Sequence, residues 1–541
     1  MVWKLTLGAA ALSLMFGLWK LIPLIIHRFT SPLRNLPGPK CSKWIYGNVF
    51  EIISADKPVF DEWLKEHGQT FRFRSFLGAH ALFTMDTRAL NHILTHSNDY
   101  QKPEHTRYRL TRMLGKGMGS LSEQRRIMNP AFGPAQIQGL TSVFFEKSIK
   151  LRDAWISGLI QDEAGNPKRV DVMPWLSRLT LDVIGLAGLW FNYEFGALDV
   201  TEKPNELSEA FGAMVAANQS VDTLPFLQTF IPALRSLPTD RGRRIVKSRE
   251  IMNRIGRQLL RDAKAAVFAS QEAKNSSIVQ KTSVQGRDLL SLLVRANMAT
   301  DLPESQKLSD EDVLAQVPTF LVAGHETTST ATTWALYALS LAPNIQSTLR
   351  EELLSVDTDT PPMDELMALP YLDAVVRETL RVHAPIPNSL RVAMKDDVIP
   401  LENPFVDKNG KLQHNIKISK GDPVLIPILA INRSAVIWGP DAKEFKPERW
   451  KSVPEVASRS PGIRGHFMTF LDGPRACIAH RFSLVEMKAI LFTLIRAFEF
   501  ELGVPENEID MTTRTVRRPH VRSEPEKRYQ LPLLIKPYQR P

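Results

Sequence analysis

Two cysteines in 541 residues, Cys41 and Cys477, confine any thiol chemistry to two places. Cys477 stands in Phe470-Leu471-Asp472-Gly473-Pro474-Arg475-Ala476-Cys477-Ile478-Ala479, where a Gly-Pro loop runs straight into the helical pattern HRFSLVEMKAILFTLIRAF. Free backbone N–H groups and the positive end of a helix stabilise an anion at such a junction, and Arg475 adds a nearby cation. The expectation is a thiol with a lowered pKa, held as the thiolate that a metal requires. Taken alone, a buried structural cysteine fits the same loop, because free cysteine packs as a small hydrophobe. The chain has no C-x-x-C pair and no H-E-x-x-H, so no zinc pattern competes for the two thiols.

Three further clusters carry potential chemistry. Ala323-Gly324-His325-Glu326-Thr327-Thr328 lies in a long apolar helical stretch, where Gly, Glu and Thr are poor choices on propensity alone. Glu378-Thr379-Leu380-Arg381 sets a carboxylate and a guanidinium one helical turn apart, an arrangement that on its own is usually a solvated surface pair. Pro447-Glu448-Arg449-Trp450 supplies another arginine downstream.

Together these motifs resemble the cytochromes P-450. F-x-x-G-x-R-x-C is that family's haem-binding loop, and the pieces occur in the family's order from residue 37 to residue 482. The resemblance implies haem b as cofactor, with Cys477 as the axial iron ligand, Arg475 on a haem propionate and Phe470 packed near the sulfur. Arg391 and Arg125 map onto further haem-contact positions. Gly324 is expected to leave room for dioxygen. A Thr327 hydroxyl bonded to the carbonyl one turn back is expected to open a groove, with Thr327 and Glu326 relaying protons to dioxygen. Glu378, Arg381 and Arg449 are expected to form a structural cluster behind the cysteine loop.

The sequence departs from the family at three points, one of them the segment LGKGMGSLSEQRR, which is several residues shorter than in typical relatives. Leu121 stands where a Trp or His propionate donor is usual, and Ala479 replaces the usual Gly two residues after the cysteine. The glycine-rich Gly115-Lys116-Gly117-Met118-Gly119 matches neither a dinucleotide-binding nor a P-loop pattern.

The elements that must position these residues are mostly helical. Apolar spacing predicts long helices over residues 170–190, 241–269, 310–341 and 483–498, with short strands in 71–86, 390–399, 416–426 and 529–535. Residues 270–287 are polar and predict an exposed loop. The fold class expected is therefore mostly α with small β-sheets, the P-450 fold, preceded by one N-terminal transmembrane helix. Residues 5–26 carry a single charge, Lys20, and are long enough to span a bilayer. The cations His27, Arg28, Arg34, Lys40 and Lys43 follow this segment while only Lys4 precedes it, which places the body on the cytosolic side, here of the endoplasmic reticulum. Leu36-Pro37-Gly38-Pro39 cannot continue a helix and is expected to act as a stiff hinge. The expected division is an anchor over residues 1–27, a Pro-rich lead-in over 28–60 and a single haem-binding monooxygenase domain over 61–541.

A formal charge of +10 is spread along the chain rather than gathered in one run, which argues against nucleic-acid binding. It suits anionic membrane lipid or an acidic partner, or is simply a solvated basic surface. The resemblance implies an NADPH-cytochrome P-450 reductase as a separate electron donor, with cytochrome b5 as a further one, and a lipophilic small-molecule substrate. Residues 103–119, 224–234 and 386–390 are the candidate substrate contacts. The whole is similar to microsomal fungal members of secondary metabolism. Two alternatives stand beside the monooxygenase: a haem-thiolate isomerase or dehydratase, against which the Glu326-Thr327 pair argues, and a haem-binding protein with degenerate catalysis.

Overall fold

Aromatic and apolar residues alternate with polar ones through residues 70–84, and there the computed structural model forms an antiparallel pair, β1 (Thr70–Arg74) and β2 (His80–Thr84). The structure describes residues 27–539 apart from 42, 44–45, 54–57, 115–124, 126–127, 160–166, 190–195, 200–205, 220–222, 276–308, 464–465 and 514. The remaining strands are β3 (Tyr100–Gln101), β4 (Lys168–Asp171), β5 (Ser389–Ala393), β6 (Asp397–Val406), β7 (Leu412–Ile418), β8 (Pro423–Ile426), β9 (Phe498–Leu502), β10 (Ile509–Thr513), β11 (Arg517–Val521) and β12 (Pro532–Pro537). The longer helices are α1 (Thr87–Thr95), α2 (Glu104–Leu114), α3 (Pro134–Leu159), α4 (Val172–Ile184), α5 (Glu206–Gln219), α6 (Asp240–Asn275), α7 (Asp310–Leu341), α8 (Pro343–Leu354), α9 (Pro370–Val382) and α10 (His480–Ala497).

The residues gather into two units. The first takes residues 1–103, 386–443 and 453–476. Its centre is a five-stranded sheet in the order β1-β2-β8-β5-β3, antiparallel except where β2 meets β8, with the hairpin β6–β7 beside α1. The proline-rich lead-in is stitched to this sheet rather than left as a hinge. The Arg72 N–H donates to the Pro37 carbonyl at 2.9 Å, Leu33 and Leu36 are buried, and Asp422 accepts from Ser31 at 2.8 Å and pairs with His27 at 2.7 Å. Residues 1–26, where the membrane anchor is expected, lie outside the described residues. Among the described residues no helix is long and apolar enough to cross a membrane.

The second unit takes residues 104–385, 444–452 and 477–541 and holds most of the helix. Its axis is α7, which starts where the Ser309 hydroxyl accepts from the Asp312 N–H and carries Asp310, Glu311 and Asp312 in its first turn, where the helix dipole favours them. α7 packs against α4, α9 and α10, while α10 packs lengthwise on α3. Two small sheets complete the unit, β4-β12-β9 and the hairpin β10-β11. Three expected boundaries shift. The helix expected to 190 gives way after Ile184 to a π turn over Gly185–Leu189, and the loop expected from 270 begins as helix, since α6 runs to Asn275. The strand expected over 390–399 is two strands, broken at Lys395-Asp396 where two charged residues suit a turn.

Candidate active site

The cysteine loop is built by backbone constraint. Asp472 Oδ1 accepts from the Gly473 N–H at 2.7 Å and Oδ2 from the Gly462 N–H at 2.8 Å, so one carboxylate closes the loop on itself. Gly473 has φ 65°, and a Cβ there would sit 2.9 Å from the Leu94 carbonyl at the end of α1; only glycine meets both conditions. Two residues past Cys477, Ala479 caps α10 with φ −90°, a conformation open to any residue, which explains why alanine replaces the family's glycine without strain.

Cys477 keeps an exposed surface, yet enough protein surrounds the sulfur that burial raises its pKa above the usual thiol value. This corrects the lowered pKa expected from the loop. The Ala479 N–H does donate to the sulfur and Arg125 does act on it as a cation, but both are outweighed by the loss of solvation. The cation acting here is Arg125, not the sequence neighbour Arg475. A thiol so placed becomes a thiolate when a metal ion supplies the missing positive charge.

Arg475 belongs to a different group in the first unit. Lys102 falls to about 8 through burial and then the charges of Arg391 and Arg475, and Arg391 falls to about 10 through burial and then the charge of Arg475. Among the described residues no carboxylate acts on either. The buried Arg391 donates to Ser389 Oγ at 2.6 Å and to the Leu390 carbonyl at 3.0 Å, which fixes its direction without neutralising it. Three cations held together without an internal counter-charge suit a ligand carrying two carboxylates. The two propionates of a haem are such a pair of carboxylates. Lys102 was not legible in the sequence, where nothing separates it from the many other lysines. Phe470 is half-buried in the same loop, and Leu121 and residues 115–119 lie outside the described residues.

On α7 the Thr327 hydroxyl donates to the Ala323 carbonyl at 2.7 Å, one turn back. Its hydrogen is thereby committed, and its lone pairs face outward as acceptors. A Cβ on Gly324 would lie 2.8 Å from Ile184 Cδ1, so the missing side chain lets α4 close on α7. α4 grips the same turn elsewhere: Ser177 Oγ is hydrogen-bonded to His325 Nε2 at 2.6 Å, and the Thr180 hydroxyl donates to the His325 carbonyl at 3.1 Å. His325 falls to about 3, through burial and then the charge of Arg518, and is therefore neutral at physiological pH. Glu326 meets Arg518 of β11 at 2.8 Å, a partner the sequence did not disclose. From α10, Glu486 reaches the neighbouring Thr328; burial raises its carboxyl well above the usual range, Thr328 being the one opposing influence.

Glu378 is fully buried at the centre of its cluster. It accepts from Arg381 Nε and Nη2 at 2.9 and 2.7 Å, from Arg449 Nε at 3.3 Å, from the Lys446 N–H at 3.0 Å and from the Trp450 indole at 3.1 Å. The last donor exists because tryptophan stands where the family's motif has phenylalanine.

Comparison with known proteins identifies the family. The sequence model of the cytochrome P450 family matches residues 36–526. The chain is 54% identical over 541 residues to cytochrome P450 monooxygenase 205 of Postia placenta, covering 99% of this chain and 98% of the relative. It is 49% identical over 541 residues to monooxygenase 128 of the same fungus, covering 98% of both. It is also 36% identical over 509 residues to the monooxygenase claP of Ampulloclitocybe clavipes, covering 92% and 91%. The chain belongs to the cytochrome P450 family, fungal oxidoreductases among its relatives, which bind haem b through a cysteine thiolate.

Proposed function

We propose that this protein is a monooxygenase that inserts one atom of dioxygen into a lipophilic small molecule, with electrons from NADPH passed on by a separate reductase. Bound haem supplies the one-electron and dioxygen chemistry. The chain supplies the rest. Cys477 would ligate the iron, with Arg125 balancing the charge on its sulfur, and Lys102, Arg391 and Arg475 would take the propionates. The observation that carries the reading is the turn of α7 at which Thr327, its hydrogen given to Ala323, stands next to the carboxylate of Glu326. An outward-facing acceptor holds a proton donor such as water in place, and the adjacent acid replenishes it.

Thr327→Ala is accordingly expected to fold and to bind haem, but to divert NADPH consumption to hydrogen peroxide, with product per NADPH falling about 10-fold or more. NADPH, peroxide and product are measured together at matched haem content, after a panel of terpenoid precursors has been screened in a heterologous host for a substrate. Full coupling in the variant would leave Thr327 a packing residue and remove the support for the reading.

Residues 5–26 are proposed to anchor the protein in the endoplasmic reticulum membrane with the catalytic body in the cytosol. Deleting residues 1–26 spares His27 and its bond to Asp422. The truncated protein should move from the membrane to the soluble fraction with unchanged haem content on fractionation. Loss of haem would mean that the segment is part of the fold.

A further inference from the structure

β11 is fastened to α7 at two places. In the C-terminal part of the helix the Trp334 indole donates to the Arg517 carbonyl at 3.0 Å, and the Arg517 guanidinium lies 5.0 Å over the same indole ring. A little over two turns earlier, Arg518 Nη2 meets Glu326 Oε1 at 2.8 Å. Arg518 is itself seated 4.9 Å over the ring of Tyr529, and opposite Thr512 in the β10–β11 register. The two side chains of the ion pair are only 12% and 15% exposed, so the pair is shielded from most of the screening that weakens surface salt bridges. Tertiary packing thus fixes the direction of a charge that lands on the one acid adjoining Thr327.

We propose that Arg518 is a positioning residue for proton delivery: it fixes Glu326 through Oε1 so that Oε2 carries protons from water to the hydrogen-bonded chain at Thr327 Oγ1. The proposal rests on the oxygen-activating role given to that turn above. Each transfer balances at Glu326: one proton is taken from solvent onto Oε2, one is released toward Thr327, and the carboxylate is restored. Arg518 itself neither gains nor loses a proton, and His325, neutral beside it, does not compete as an acid. Without the guanidinium the carboxylate loses its fixed direction.

The test needs no identified substrate. Holoenzyme is given electrons from a photochemical reductant in air-saturated buffer, and dioxygen uptake is partitioned between peroxide and water, in ordinary and heavy water. Arg518→Gln is expected to raise the ratio of peroxide to water about 10-fold, to the level of Glu326→Gln, and to change the solvent isotope effect alike. Arg518→Lys restores most of the wild-type ratio. Glu326→Gln combined with Arg518→Gln should add nothing to either alone, and thermal unfolding of the haem-free and haem-loaded proteins should show the same non-additivity. A wild-type ratio in Arg518→Gln, or an additive double variant, overturns the positioning role while leaving Glu326 and Thr327 in place. Wild-type ratios in both Glu326→Gln and Thr327→Ala would instead overturn the oxygen-activation reading, and the present proposal with it.

Discussion

Cys477→Ser is expected to abolish the thiolate signature in the spectrum of the reduced carbon monoxide complex. Serine keeps the size of the side chain but offers a hard alcohol that stays protonated, where a soft, electron-donating thiolate is required. The environment makes the change severe. Burial already raises the Cys477 pKa, and the Ala479 N–H and Arg125 only partly oppose it, so a bound metal ion favours the thiolate over the thiol. An alcohol, far less acidic than a thiol, has no route to that state. The same balance gives haem binding a pH dependence: the thiol must lose its proton on ligation, so haem affinity should fall as the pH falls. Cys41→Ser serves as the control, since that half-buried thiol only donates to the Lys43 carbonyl at 3.3 Å. An unchanged spectrum in Cys477→Ser, or its loss in Cys41→Ser, would refute the ligand assignment.

Removing the Glu378 carboxylate is the second large effect. Glu378→Ala leaves Arg381, fully buried, and Arg449, only 6% exposed in its side chain, with like charges and no acid between them. Breaking one side of a buried ion pair costs about 3–5 kcal/mol, against a total stability of roughly 5–15 kcal/mol for a typical fold. The variant is expected to accumulate poorly and to lose haem together with fold, visible as a lowered denaturation midpoint and a reduced haem-to-protein ratio. Trp450→Phe, which restores the family's residue, removes one donor of the set and should cost about 1 kcal/mol. If Glu378→Ala retained wild-type stability, the cluster would be a bystander.

What the sequence could disclose followed from how local the cause was. α7 runs over the residues its apolar spacing marks, with Ser309 as the cap, because helix periodicity and capping act within a few residues. The pairing of Glu378 with Arg381 was legible for the same reason, the two lying one turn apart. The turn between β5 and β6 and the continuation of α6 to Asn275 were missed, since boundaries depend on tertiary partners. In the site the misses have one origin. The thiol's pKa was read from a helix end and a neighbouring arginine, whereas desolvation, the larger influence, is set by atoms distant in sequence. Nothing local shows that Ile184 lies against Gly324. Lys102 and Arg518 are single cations in unremarkable surroundings, and only the fold brings them to Arg391 and Glu326.

The sheet β4-β12-β9 bears on how the chain is made. Its central strand is the last in the sequence: β12 pairs on one side with β4 and on the other with β9, and the Leu531 N–H donates to an Asp171 carboxylate 360 residues away. A ribosome needs roughly 20–70 s to synthesise that much chain. Throughout that interval β4 has no partner on the edge that β12 will cover. The helices can form as they emerge, but this sheet closes only once β12 has been made, so loss of residues 532–537 would leave strand edges on β4 and β9 exposed to aggregation.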